Sequence, residues 1–238
     1  MFLTACKGMF VMGFLYIALG CDKPTRPQKP AFGIGHVSVG QDNSEGAMYM
    51  GNLRRTGAYS VQAVRELKGL LWRFRAPSAI VCFPVVSDGS VFFGCDDDNM
   101  YAVDAKDGTL LWKFKTGNDI RSSVAVADGI LFFGSNDGDF YAIGIDGKLR
   151  WSFHTGGDFF SASLVADGRV CFASDDGFLY AAEMYTGKEM WRYKIPMERP
   201  SMPTSPSLQD GLIYLTDDTS QNIYIVDAST GREIRIFT

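Results

Sequence analysis

Residues 122–153 read SSVAVADGILFFGSNDGDFYAIGIDGKLRWSF. Asp128-Gly129 supplies two residues that tolerate positive φ, which a two-residue hairpin turn requires. The runs Ser122 to Ala127 and Ile130 to Ser135 flank that turn as first and second strands. Asn136-Asp137-Gly138 reverses the chain again, and Phe140 to Ile145 follows as a third strand. Asp146-Gly147 makes the next turn, and Leu149 to Phe153 is the fourth strand. The stretch therefore predicts one four-stranded antiparallel sheet.

The same pattern recurs on both sides. Tryptophans stand at Trp72, Trp112, Trp151 and Trp191, with gaps of 40, 39 and 40. Asp-Gly pairs begin at Asp88, Asp128, Asp167 and Asp210. Tyr101, Tyr141, Tyr180 and Tyr224 keep the step, as do Gly108, Gly147, Gly187 and Gly231. Four independent markers sharing one period define a true repeat. Four short strands in about forty residues is the arithmetic of a β-propeller blade. One blade is too small to cover both faces of its sheet, so neighbours must stack. The fold class is all-β.

The segment Ala102 to Trp112 (AVDAKDGTLLW) resembles the tryptophan-docking motif of the pyrroloquinoline quinone (PQQ) repeat family. Ala181 to Trp191 (AAEMYTGKEMW) is closer still, whereas Ala142 to Trp151 is one residue shorter and has Gly144 at the acidic position. The last copy, Ile225 to Arg235, keeps Asp227, Thr230, Gly231 and Glu233 but ends in arginine. Met48 to Asn52 and Arg55 to Gly57 resemble the entry segment of such propellers. The resemblance covers about residues 47–238. It implies that each glycine allows the turn between third and fourth strands and that each indole packs between blades.

Full repeats fall at about 78–116, 120–155, 160–195 and 203–238, and one extra strand, Leu70 to Phe74, precedes them. In this family a lone N-terminal strand usually completes the last blade, but here the last repeat has its own fourth strand, Glu233 to Phe237. Four blades plus one strand predict an open arc or partial ring, with a closed four-bladed ring as the alternative. End blades of an arc expose apolar faces, which invites a partner or self-association through the open blade edges.

Upstream, Met9 to Gly20 is a 12-residue apolar run, shorter than the roughly 20 residues of a membrane-spanning helix. It ends in Ile17-Ala18-Leu19-Gly20-Cys21, which resembles the cleavage box of bacterial lipoproteins. Residues 1–21 then read as a signal peptide with Cys21 as the candidate lipidation site. Residues 22–46, with Pro24, Pro27 and Pro30, read as a flexible tether. The chain is expected to be exported and held at a bacterial membrane, in the periplasm or at the cell surface.

Net charge is −4, so there is no basic surplus to neutralise nucleic-acid phosphates. His36 and His154 are the only histidines, which excludes a histidine-rich metal site. The family resemblance invites PQQ with calcium. Quinoprotein dehydrogenases of that family, however, are longer and carry adjacent cysteines over the cofactor, a pair absent from this sequence. No cofactor, metal or catalytic residue is therefore expected.

The acidic turns Asp96-Asp97-Asp98, Asn136-Asp137, Asp175-Asp176 and Asp217-Asp218 read as turn residues bonding their own backbone. Asp104, Glu183 and Asp227 read the same way. If Asp88-Gly89 is a two-residue turn, Cys82 faces Cys95 across the hairpin, either as a disulfide or as two reduced thiols. Ser122 with Ser135, Ser161 with Ser174 and Ser205 with Thr216 occupy the equivalent places. The loops between blades depart most from the repeat. They offer Arg121, His154, Phe159, Met197, Glu198, Arg199 and Met202 as a candidate partner-binding rim. The expected function is a non-catalytic, protein-binding propeller lipoprotein of the cell envelope, most similar to those of outer-membrane protein assembly. The alternatives are a fragment of a PQQ-dependent dehydrogenase and an envelope sensor.

Overall fold

A computed structural model of the chain describes residues 69–196 and 202–238. The signal-peptide and tether readings, Cys21, Met197, Glu198 and Arg199 lie outside the described residues. Among the described residues, sixteen strands form four antiparallel sheets, each in simple up-and-down order. The first blade holds β1 (Val85–Ser87), β2 (Ser90–Cys95), β3 (Asn99–Asp104) and β4 (Leu110–Lys115). The second holds β5 (Ala125–Ala127), β6 (Ile130–Gly134), β7 (Asp139–Gly144) and β8 (Leu149–His154). The third holds β9 (Leu164–Ala166), β10 (Arg169–Ser174), β11 (Phe178–Glu183) and β12 (Glu189–Lys194). The fourth holds β13 (Ser207–Gln209), β14 (Leu212–Leu215), β15 (Ile223–Asp227) and β16 (Glu233–Phe237).

Each first hairpin closes on an Asp-Gly pair in which both residues have positive φ, 48° and 71° at Asp128 and Gly129. That is the geometry whose twist matches the flanking strands. The first strands are shorter than the sequence suggests, β5 starting at Ala125 and not at Ser122. A side chain takes over from the backbone ladder there. The Gly134 N–H donates to Ser122 Oγ at 2.8 Å, and the same hydroxyl lies 2.8 Å from the Gly134 carbonyl oxygen.

Blades stack through sheet faces. Phe92, Met100 and Ala102 of the first blade pack against Leu131, Phe133 and Ile143 of the second. Phe132 and Phe140 meet Val170 and Phe172 of the third, the Phe140 and Phe172 rings stacking at 3.9 Å. Leu179 and Ala181 meet Ile213, Tyr224 and Val226 of the fourth. The sheets form an open arc. At its far end Ile223 and Phe237 are 42 % and 47 % exposed, whereas their second-blade counterparts Phe140 and Phe153 are packed in the core.

The near end is covered. Trp72, Phe74, Ala76 and Ile80 pack on Val91, Phe93, Cys95 and Tyr101 of the first blade. Among the described residues, the expected strand Leu70 to Phe74 pairs with none of the four sheets. It nevertheless occupies the place of a preceding blade's outermost strand.

Candidate functional site

The repeat spends its tryptophans on joints between blades. The Trp112 indole N–H donates to the Ile145 carbonyl at 2.8 Å, Trp151 to Met184 at 3.0 Å and Trp191 to Ala228 at 3.2 Å. Trp72 does the same to Ala105 at 2.9 Å. Each indole lies on a glycine of the receiving turn. A Cβ at Gly108, Gly147, Gly187 or Gly231 would stand 2.5–2.9 Å from indole carbons, so glycine is required for space as well as for positive φ.

The edge of the arc formed by the second-to-third-strand turns and the interblade loops carries the acidic residues. Asp137 Oδ2 accepts from the Tyr141 hydroxyl at 2.8 Å and from the Gly117 N–H of the preceding loop at 2.7 Å. Asp176 accepts likewise from Tyr180 at 2.7 Å and from Gly156 at 3.2 Å. Asp97 accepts from Tyr101 at 2.5 Å, and Asp217 from Tyr224 at 2.8 Å. Burial and the neighbouring carboxylate push the Tyr101, Tyr141 and Tyr180 phenols well above their usual range. These aspartates hold turns and tie loops to blades. The periodic tyrosines were visible in the sequence, but their carboxylate partners, four or seven residues upstream, were not.

Asp104, Glu183 and Asp227 accept from backbone N–H groups two or three residues ahead, as turn residues do. Among the described residues, no three His, Cys, Asp or Glu side chains are grouped to hold a metal ion.

Cys82 and Cys95 are both buried and stand as free thiols in the structure. Cys82 Sγ instead accepts from the Gly94 N–H at 3.1 Å and faces the Gly94 carbonyl at 3.4 Å, the role Ser122 plays in the second blade. The thiol thus bonds to the backbone of residue 94, one short of Cys95. The fourth blade repeats the shift, with Thr204 Oγ1, not Ser205, accepting from the Thr216 N–H at 3.0 Å. Burial pushes the Cys82 thiol up to about 12 and the Cys95 thiol up to about 11. Cys171 is a third buried free thiol, pushed up to about 12 by burial.

The rim candidates separate into three kinds. Phe159 is core: 1 % exposed, it fills the space above Gly134, as Ile120 does above Gly94. Arg121 is engaged, gripping Asp96 through Nε and Nη2 at 3.0 and 3.1 Å and reaching Asp119 at 2.9 Å. His154 is exposed and lies 2.7 Å from Asp139 Oδ1, while Met202 is 44 % exposed with its N–H on Asp218. Phe160 stands in the repeat where Arg121 stands. Without that cation, Asp175 meets Asp158, Asp218 and Asp176. Burial and these carboxylates raise its pKa to about 6.

The family model described as outer membrane protein assembly factor BamB matches residues 54–237. The chain belongs to this family. No curated protein matches it. BamB from Moraxella catarrhalis is similar in structure, with 18 % identity and a TM-score of 0.63, covering 85 % of this chain and 63 % of that one. A quinohemoprotein alcohol dehydrogenase from Pseudomonas putida HK5 has 19 % identity and a TM-score of 0.67, over 82 % of this chain and 40 % of that one. The computationally designed Ika4 protein has 18 % identity and a TM-score of 0.56, over 63 % of this chain and 91 % of that one. At these identities the likeness is one of fold. The chain spans less than two thirds of the Moraxella BamB. BamB-type scaffolds and PQQ dehydrogenases share the PQQ-repeat propeller, so the family alone does not separate binding from catalysis.

Proposed function

We propose that this BamB-family arc is a non-catalytic scaffold of the bacterial envelope that binds other envelope proteins during outer-membrane protein assembly. The observation that carries the reading is how the repeat uses its acids. The carboxylates that recur in every blade are committed to turns and to tyrosine hydroxyls, and the blade-specific variation lies in the rim loops. Rigid blades presenting variable loops are built for recognition. The same reading places the chain in the periplasm, acylated at Cys21, with self-association through the open blade edges.

Site-specific photocrosslinking from Phe160 and Met202 in living envelopes tests it. Adducts with components of the outer-membrane assembly machinery are expected. Their absence at both positions would contradict the proposal. Similarity to the quinohemoprotein alcohol dehydrogenase favours a second reading, a dehydrogenase piece. Alcohol oxidation by the purified chain with added PQQ and calcium would establish that reading instead.

A further inference from the structure

Eight Asp-Gly pairs occur in the chain, beginning at Asp88, Asp107, Asp128, Asp137, Asp146, Asp167, Asp176 and Asp210. This dipeptide has a chemistry of its own. Glycine has no side chain to shield its amide nitrogen, which can attack the carboxyl carbon of the preceding aspartate. The attack needs an N–H that is not committed to a hydrogen bond and a carboxyl free to swing onto it. The fold grants these two freedoms unequally.

The amide removes four pairs. The N–H groups of Gly108, Gly138, Gly147 and Gly177 donate to the carbonyls of Asp104, Ser135, Gly144 and Ser174 at 2.8–3.2 Å. In the first-hairpin turns the amides of Gly89, Gly129, Gly168 and Gly211 make no such bond among the described residues. The carboxyl separates these four. Asp88 Oδ2 accepts from the Ser87 hydroxyl at 3.0 Å, and Asp210 Oδ2 from the Gln209 side-chain amide at 3.3 Å. Asp128 Oδ2 accepts from the Tyr185 hydroxyl of the third blade at 2.6 Å. Asp167 is exposed, and its carboxyl makes no hydrogen bond or ion pair among the described residues. No atom lies within 4 Å of where a Cβ on Gly168 would stand. Both freedoms meet only there.

We propose that Asp167 is a modification site, the position at which this chain forms isoaspartate. The Gly168 nitrogen bonds to Asp167 Cγ, and its proton leaves with the carboxyl hydroxyl as water, closing a five-membered succinimide. Water then adds at the Asp167 backbone carbonyl carbon and breaks its bond to the Gly168 nitrogen. The main chain afterwards runs through Cγ, one methylene longer, and the former carbonyl is a free carboxylate. The water lost in the first step is regained in the second, so no oxidant, reductant or cofactor enters. The turn sits beside both joints of the third blade. The Gly168 carbonyl accepts from the Met184 N–H at 3.0 Å, and the Met184 carbonyl accepts the Trp151 indole. Arg169, next in the chain, donates through Nη1 to the Ala228 carbonyl, which also accepts the Trp191 indole.

The test holds the full chain at pH 6 for weeks. Methyl transfer from S-adenosylmethionine by an isoaspartyl methyltransferase is the probe, and peptide mapping locates each site. Isoaspartate is expected at Asp167 about fivefold or more faster than at any other Asp-Gly pair, the factor that the hold of one hydrogen bond converts to. Asp128 is the matched control, because both lie in Ala-Asp-Gly. Tyr185→Phe removes one exposed hydroxyl and should bring Asp128 up toward the Asp167 rate, with Asp107 and Asp146 still slow. In urea Asp128 and Asp167 should react alike. Asp167 reacting no faster than Asp107 and Asp146 in the folded chain overturns the inference. So does a preference for Asp167 over Asp128 that persists in urea, which would assign it to local sequence and not to the fold.

Discussion

The Trp72 indole N–H donates to the Ala105 carbonyl at 2.9 Å, across 33 residues, although Trp72 belongs to none of the four sheets. The Trp112 and Trp151 bonds span the same 33 residues. The first blade thus receives its indole as the second and third do, from a segment outside the four described sheets. At the other end Arg235 replaces the tryptophan and its guanidinium lies 5.3 Å from the centre of the Phe237 ring.

Trp72→Ala should therefore uncover the first blade. Trp72 is half-buried over Val91, Phe93 and Tyr101, so a loss of about 2–3 kcal/mol is expected. Urea unfolding followed by circular dichroism measures it. A change within error of zero would mean that the segment does not cap the blade.

Gly134→Ala should destabilise by about 1–3 kcal/mol, because its Cβ would fall 2.2 Å from Phe159 Cγ. In the background of Phe159→Gly, which removes both the ring and the Cβ that stands 2.3 Å from the added methyl, the double variant should lose less than the sum of the singles. Additive losses in the unfolding series would show that the two residues do not meet.

Asp175 gives a pH dependence with a definite sign. Its carboxyl titrates at about 6 in the folded chain, above its ordinary value of 3.8. The folded state then holds the proton more tightly, so this contribution favours folding at pH 4 and is lost as pH rises through about 6. Asp175→Asn should stabilise the chain at pH 7.5 by about 1 kcal/mol, after allowance for solvent screening at a half-buried site. The gain should vanish near pH 4. Thermal unfolding of both proteins across this range checks the crossover, and a variant less stable at pH 7.5 would contradict it.

The buried thiols should be inert in the folded chain. With Cys82 and Cys95 pushed up to about 12 and about 11, iodoacetamide at pH 8 should leave both unmodified until urea is added. Peptide mapping under non-reducing conditions reads the outcome. A linked Cys82–Cys95 peptide, or labelling of the native protein, would reverse the assignment.

Much of this architecture is legible in the residues themselves. Asp-Gly at the first turn of each blade needs positive φ twice, and the chain adopts it at Asp88, Asp128, Asp167 and Asp210. The glycine beneath each indole follows from one periodicity laid over another. What escapes is whatever depends on contact between repeats. Phe159 stands in a variable loop and looks like surface, yet it is held inside by the missing side chain of Gly134, one glycine among 26. Cys82 turns its thiol onto the backbone of Gly94, so its side chain continues the hairpin where the backbone ladder has stopped. The acidic turns are recognisable as turns, and Asp97, Asp137 and Asp176 each stand four residues before a periodic tyrosine, but the spacing alone does not say that hydroxyl and carboxylate meet.

The claim that tryptophans join every described blade, and that Trp72 joins the first, is tested most directly by hydrogen exchange of the four indole N–H groups. They can be followed by nitrogen-correlated NMR and assigned by single Trp→Phe changes. The account predicts protection at all four, slowest at Trp151 and Trp191, which are 8 % and 9 % exposed, and weaker at Trp72 and Trp112. A Trp72 indole exchanging at the rate of a free indole, with the other three protected, would contradict it.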